Sequence, residues 1–157
     1  MSIVVARVDD RLVHGQVIIG WGRPLNIGRI VLVDDEVAAS DLERDLYRMA
    51  VPDEMEVEFL TLAGAPARLG ELGKGSERTL VLTGSVATMA ALTRASDAIR
   101  SVNLGGVHGG AGRREYLRYL YLSDPERLAL DAMAEAGVKV TAQDLPTSAP
   151  VDLRHLR

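Results

Sequence analysis

The 157-residue chain contains no cysteine, so neither a disulfide framework nor a thiolate zinc site is available to it. Only 4% of its residues are aromatic, too few for the basic and aromatic interleaving that stacks nucleic-acid bases. A basic surplus is also missing: 18 Lys and Arg stand against 22 Asp and Glu, a formal net charge of −4. Nucleic acid is therefore not expected as a partner, because phosphate-backbone binding draws on excess positive charge. No run of about 18 apolar residues occurs, so no direct membrane insertion is expected. Arg7, Asp9, Asp10 and Arg11 interrupt the stretch where a secretory leader needs an unbroken apolar core. The cytoplasm is the expected location.

What is present is an alternation of short apolar runs with helical patterns. Ile3–Val8, Ile30–Val33, Val57–Leu62, Leu80–Leu82, Val102–Leu104 and Val138–Thr141 are short apolar runs that read as strands buried on both faces. The segment Tyr116–Leu122 alternates like a half-buried strand. Ser40 and Glu43 are spaced as a capping box, followed by Leu42, Leu46 and Met49 on one helical face. Ser123-Asp124-Pro125-Glu126 opens a second helix with Pro near its first turn. That helix is expected to present Leu128, Ala132 and Met133 to a core and to stop at Gly137. Strands and helices at this spacing imply βαβ units around a mostly parallel sheet. A chain of this length buries roughly 70% of its unfolded surface, and residues 1–157 are expected to form a single three-layer α/β domain with helices on both faces.

Right-handed crossovers align the carboxyl ends of parallel strands along one edge, where open α/β sheets bind ligands. The segments leaving the strands there are Asp9–Gly15, Asp34–Glu36, Thr83–Ser85 and Asn103–His108. In the first of them His14 precedes Gly15-Gln16-Val17-Ile18-Ile19, which reads as a helix start. A neutral imidazole titrates near pH 6.5, so it is a competent nucleophile that can carry a phosphoryl group covalently. Such transfer needs charge stabilisation and alignment more than bond-making groups. Arg11 suits a bidentate grip on phosphate, and the amides of Gly15 and Gln16 suit an anion at a helix start. Asp9 or Asp10 suits the ring nitrogen that is not phosphorylated. From spacing alone, a satisfied surface histidine with aspartates serving as turn and cap residues explains the same string.

The segment RVDDRLVHGQVIIGW, Arg7 to Trp21, resembles the active-site signature of the enzyme IIB component of the mannose/fructose/sorbose class of the bacterial phosphoenolpyruvate-dependent sugar phosphotransferase system. The segments Ile30–Ala38, Met49–Pro52, Val102–Glu115 and Pro146–Leu153 resemble that family too, and in its order. The resemblance implies a mostly parallel sheet of about seven strands. It also implies that a phosphohistidine on a IIA component donates to Nδ1 of His14, with Arg11 and Asp10 assisting. The phosphoryl group would then pass to a sugar held by membrane IIC and IID components during uptake. Neither a cofactor nor a metal is part of that expectation.

One stretch departs from the pattern. After the fourth strand many relatives carry a Lys- or Pro-containing segment, where this chain has Thr83-Gly84-Ser85-Val86-Ala87-Thr88. Ser85 is a candidate phosphate donor there, though a helix N-cap is the plainer role. The Gly105–Gly112 loop is glycine-rich but lacks the Gly-Lys-Ser/Thr of a P-loop. His108 on that loop and His155 near the C-terminus read as solvated, Trp21 as a helix-packing residue and Asp34-Asp35-Glu36 as a solvated loop. Arg113 and Arg114 offer a basic face for an acidic IIA. Two other functions fit the same residues: a regulatory phosphohistidine relay without sugar transport, and a non-catalytic module that binds a small anion.

Overall fold

In the computed structural model, which describes residues 2–157, nine strands and five α-helices follow one another in the expected alternation. The chain runs through β1 (Ile3–Val8), a π-helix (Gln16–Gly22), β2 (Arg29–Val33), α1 (Asp35–Ala38) and α2 (Asp41–Ala50). Next come β3 (Glu56–Leu60), α3 (Ala65–Lys74), β4 (Thr79–Thr83), α4 (Val86–Ala95) and β5 (Ser101–Leu104). It ends with β6 (Arg113–Leu117), β7 (Leu120–Ser123), α5 (Asp124–Glu135), β8 (Lys139–Ala142) and β9 (Val151–Asp152). The main sheet has seven strands in the order β3-β2-β4-β1-β5-β8-β9. Its first six are mutually parallel and β9 is antiparallel to β8.

Alternate residues of each inner strand feed two separate cores, as the two-residue period of a strand dictates. Ile30, Leu32, Leu80 and Leu82 meet Val17, Ile18 and Trp21 of the π-helix on one face. Val31, Val33, Val81, Val102 and Leu104 meet Leu69 of α3, Met89 and Leu92 of α4, and Leu130 and Met133 of α5 on the other. The chain leaving β1 therefore crosses one face of the sheet, while the helices that follow its neighbours β4 and β5 lie on the other. Such a divergence opens a crevice at the carboxyl end of β1.

Four local expectations change. Tyr116–Leu122 spans the turn of a hairpin, β6 and β7 paired antiparallel around Arg118-Tyr119; its alternating side chains match either arm, and only the pairing reveals the turn. The complete capping box sits at Ser123, where Glu126 accepts from the Ser123 N–H at 2.9 Å and Ser123 Oγ accepts from the Glu126 N–H at 3.3 Å. At Ser40 one half forms, with Oγ accepting from the Glu43 N–H. On α5 the buried side chains are Leu130 and Met133, while Leu128 and Ala132 face outward. The helix ends at Gly137 as expected, in the left-handed region at φ +95°, and the Val138 N–H closes onto the Met133 carbonyl. Leu42, Leu46 and Met49 share a face of α2, but that face is solvent-exposed. α2 packs instead through Tyr47 against Phe59 of the edge strand β3.

Candidate functional site

The loop after β1 is pinned on both sides before it turns. Asp9 N–H donates to the Thr83 carbonyl at 2.9 Å, Gly105 N–H to Val8 at 2.7 Å, and Asp10 N–H to Gly106 at 2.9 Å. Asp9 then organises its own turn. Its carbonyl accepts from Leu12 N–H at 3.0 Å, and its carboxylate accepts from the Arg11 N–H at 3.2 Å, the short-range bond that makes Asp a turn former. Leu12 is driven to φ 60°, a costly conformation for a bulky side chain and one concentrated at functional sites.

The carboxylate that faces His14 is Asp9, with Oδ2 3.4 Å from His14 Nε2, whereas Asp10 points to His108. On the other side of the ring, Nδ1 receives the Gln16 N–H at 3.3 Å. The pattern selects one tautomer, with the proton on Nε2 toward the carboxylate and a lone pair on Nδ1. His14 is a fifth exposed, enough to be reached from solvent. Arg11 forks back onto Asp9, Nε to Oδ1 and Nη2 to Oδ2, both at 3.1 Å. That bond raises the Arg11 guanidinium and leaves its outer edge, more than a third exposed, free for an anion.

Asp9 itself has no exposed surface. Burial alone would push its carboxyl up, but hydrogen bonding from the His14 ring and Arg11, and the charge of Arg7, win and hold it far below the usual carboxylate range. Arg7 is the residue that sequence reasoning passed over. It is wholly buried in β1, with Nη2 3.5 Å from Asp9 Oδ2. It donates to the carbonyls of Gln143 at 2.8 Å and Asp144 at 3.1 Å and to the Asn103 side chain, and stacks 4.6 Å over the Trp21 ring. A charge inside an otherwise apolar strand was the available signal, since a buried cation requires partners. Gln143 and Asp144, just past β8, were missed because no motif marks them.

Asp144 ties the site to the helix. Its side chain accepts from Gln16 Nε2 at 2.8 Å and its carbonyl from Trp21 Nε1 at 3.0 Å. Gln16 and Trp21 are five residues apart, which in an α-helix would point them about 140° apart. The π-helix, closed by i→i+5 bonds, brings both to one anchor. Trp21 is thus a buried donor as well as a packing residue.

The glycines have definite work here. A β-carbon on Gly105 would lie 2.3 Å from Arg7 Nη2 and 2.5 Å from its Cζ. Gly105→Ala is expected to lower stability by about 1–3 kcal/mol through overpacking, measured by urea denaturation. Gly110→Ala, with open space around it, is expected to leave the midpoint in place.

Other candidates stand apart. Ser85 caps α4, accepting from the Thr88 N–H at 3.1 Å. It lines a cleft of about 370 Å³ with Asp10, Asp34, Asp35 and Glu36, whose carboxylates disfavour phosphate. Asp34 caps α1 and Asp35 accepts from Leu62 N–H, so two of the three acidic residues have structural bonds. Arg113 forks onto Glu126, Arg114 covers the Tyr116 ring, and His155 lies exposed in a terminal 3₁₀ turn. A depression of about 280 Å³ between the last turns of α4 and α5 opens at the amino edge of the sheet, away from His14. Among the described residues no helix is long and apolar enough to cross a membrane.

Residues 3–156 match the family model of the PTS system sorbose subfamily IIB component. The chain is similar to the sorbose-specific EIIB component of Lacticaseibacillus casei, 28% identical over 98% of this chain and 93% of that one. It also resembles the mannose-specific EIIAB component of Escherichia coli K12, 26% identical over 99% of this chain and 48% of that longer one. Among solved structures, the IIBSor domain of the sorbose permease from Klebsiella pneumoniae superposes with a TM-score of 0.89 at 28% identity, covering 99% and 96% of the two chains.

Proposed function

The chain belongs to the sorbose subfamily of phosphotransferase-system IIB components, and on that premise we propose that Nδ1 of His14 is the atom that accepts and passes on the phosphoryl group. The observation that carries this reading is the orientation of the ring, with Nε2 against Asp9 and Nδ1 at the Gln16 amide. The lone pair of Nδ1 attacks the phosphorus of a donor phosphohistidine, and the donor's P–N bond breaks as the new one forms. The Gln16 N–H and the outer edge of Arg11 take the equatorial oxygens, which is where charge stabilisation counts in a loose transition state. A ring phosphorylated on Nδ1 and protonated on Nε2 is cationic, and the buried carboxylate of Asp9 offsets that charge. In the second step a sugar hydroxyl oxygen attacks phosphorus and gives up its proton to solvent, the P–Nδ1 bond breaks, and its electron pair returns to the ring.

We assign the donor as a IIA phosphohistidine, supported by the EIIAB designation of the mannose relative, and the acceptor as a sugar presented by membrane IIC and IID components. The cytoplasm is where such a donor would be met. Phosphorylating the chain from phosphoenolpyruvate through the general components and a IIA tests the assignment. The product is read by ³¹P NMR in alkali, where the two phosphohistidine isomers resolve. An Nδ1 isomer, mapped to His14 by mass spectrometry, is the expected result. An Nε2 isomer or label on another residue overturns it.

A further inference from the structure

Two aspartates precede Arg11, and their charges are met differently. Asp9 is surrounded by Arg7, Arg11 and His14. Asp10 is met by one residue of the glycine-rich loop, His108, at two points. The His108 N–H donates to Asp10 Oδ2 at 2.8 Å, and the ring Nδ1 lies 2.7 Å from Oδ1. The rest of the loop is anchored from behind. Arg113 donates to the His108 carbonyl at 2.9 Å and forks onto Glu126, the residue that closes the capping box of α5. His108 is thus held between α5 and the β1 loop, while its ring is 72% exposed.

The ring borders a cleft of about 210 Å³ that it shares with Arg11, Arg118 of the hairpin turn, Tyr119, Tyr121 and Asp144. The charged groups facing it are therefore Asp10 and Arg11 from the β1 loop, Arg118 from the hairpin and Asp144 from the β8 exit. A phosphoryl group arriving at His14 brings close to two negative charges into this neighbourhood. An unneutralised Asp10, one residue from Arg11, opposes that arrival, as like charges do. A protonated His108 cancels the Asp10 charge. A neutral ring with its proton on Nδ1 keeps the hydrogen bond and cancels nothing.

We propose that His108 is a positioning residue for phosphoryl transfer: it clasps Asp10 to hold the loop that carries Arg11 and His14, and in its protonated form it removes the charge that would repel the phosphoryl group. The role rests on the assignment of His14 as acceptor. It couples two events, since whatever protonation adds to phosphate acceptance, phosphorylation adds to protonation of His108.

The test is single-turnover phosphorylation of the full chain by phosphorylated IIA between about pH 6 and pH 8.5, the span over which histidine changes charge. Wild type is compared with His108→Ala, with His108→Asn, whose amide keeps a donor near the Nδ1 position but does not titrate, and with Asp10→Asn/His108→Ala. His108→Ala is expected to slow the reaction about tenfold at the acid end, equivalent to one unit of proton affinity. His108→Asn is expected to lose the limb of the wild-type profile that falls as the ring deprotonates. The double variant is expected to recover most of the rate, because the charge that needed cancelling is gone. Wild-type rate and profile in His108→Ala overturn the proposal, as does a double variant no faster than His108→Ala. Hydrogen exchange of the His108 backbone amide, read by NMR in the unphosphorylated protein, judges the clasp separately: the amide that donates to Asp10 exchanges faster in Asp10→Ala if the pair exists, and an unchanged rate refutes it. Failure of wild type to accept phosphate, with the clasp intact by NMR, would instead remove the His14 assignment.

Discussion

His14→Ala is expected to abolish phosphoryl acceptance, with no label above background after incubation with a phosphorylated IIA. No neighbour can take over. Asp9 is the nearest nucleophile, but it is without exposed surface and committed to Arg7 and Arg11. His108 offers an exposed ring, yet it is tethered to Asp10 rather than to Asp9 and has no counterpart of the Gln16 amide that meets the His14 ring. Removing the nucleophile of a covalent mechanism leaves only binding and charge stabilisation, so a loss of at least about 10³-fold is expected. The fold should survive, since His14 lies in a loop between β1 and the π-helix with its side chain partly exposed; unchanged circular dichroism checks this. Retained label in the variant would place the chemistry elsewhere.

Asp9→Asn is expected to strike stability and chemistry together. The substitution leaves the Arg7 guanidinium buried against a neutral amide, and breaking a buried pair by removing one partner costs about 3–5 kcal/mol. The amide can also turn its NH₂ toward Nε2 of His14 and favour the opposite tautomer, with the proton on the nitrogen that should attack. Loss of an orienting carboxylate by the same amide substitution in a serine protease costs about 10⁴-fold. A fall of about 10²-fold or more is expected here, where the Asp9–His14 contact is 3.4 Å and the ring is also held by the Gln16 amide. The sign of the pH effect follows from the depressed carboxyl. A group whose folded pKa lies below its unfolded value, near 3.9, contributes stability above that unfolded value and loses it as pH falls through the folded one. Urea denaturation should therefore show wild type and variant furthest apart at neutral pH and converging only in strong acid. Equal midpoints at neutral pH would mean that Arg7 does not depend on Asp9.

The strands that carry the site were legible because their residues admit little else: IVVARV, IVLV and LVL are largely apolar, mostly β-branched in the first two, and too short for core helices. The histidine loop was legible because Asp, Arg, His and Gly gather at one strand exit. The hairpin turn within Tyr116–Leu122 was not, because a strand and both arms of a tight hairpin share the same alternation until a partner is known. The outward turn of Leu42, Leu46 and Met49 was equally hidden. A helical stripe records which residues share a face and not whether that face meets a sheet.

The division is sharpest inside the site itself. Local chemistry determined that His14, an Arg11 two residues past Asp9, and the amides after Gly15 lie on one short segment. It determined too that β1 is a strand, with Arg7 as the one charge inside its apolar run. Which aspartate serves the ring was decided only by tertiary structure. Asp9 and Asp10 are adjacent, but β1 has ended at Val8 and the chain turns at Asp10, so their side chains leave in different directions. One therefore turns in to Arg7 and His14, and the other turns out to His108. The partners of Arg7 come from Asn103, Gln143 and Asp144, about a hundred residues or more along the chain. Such contacts between distant residues exist only once the parallel sheet has set β1 beside β5 and β5 beside β8.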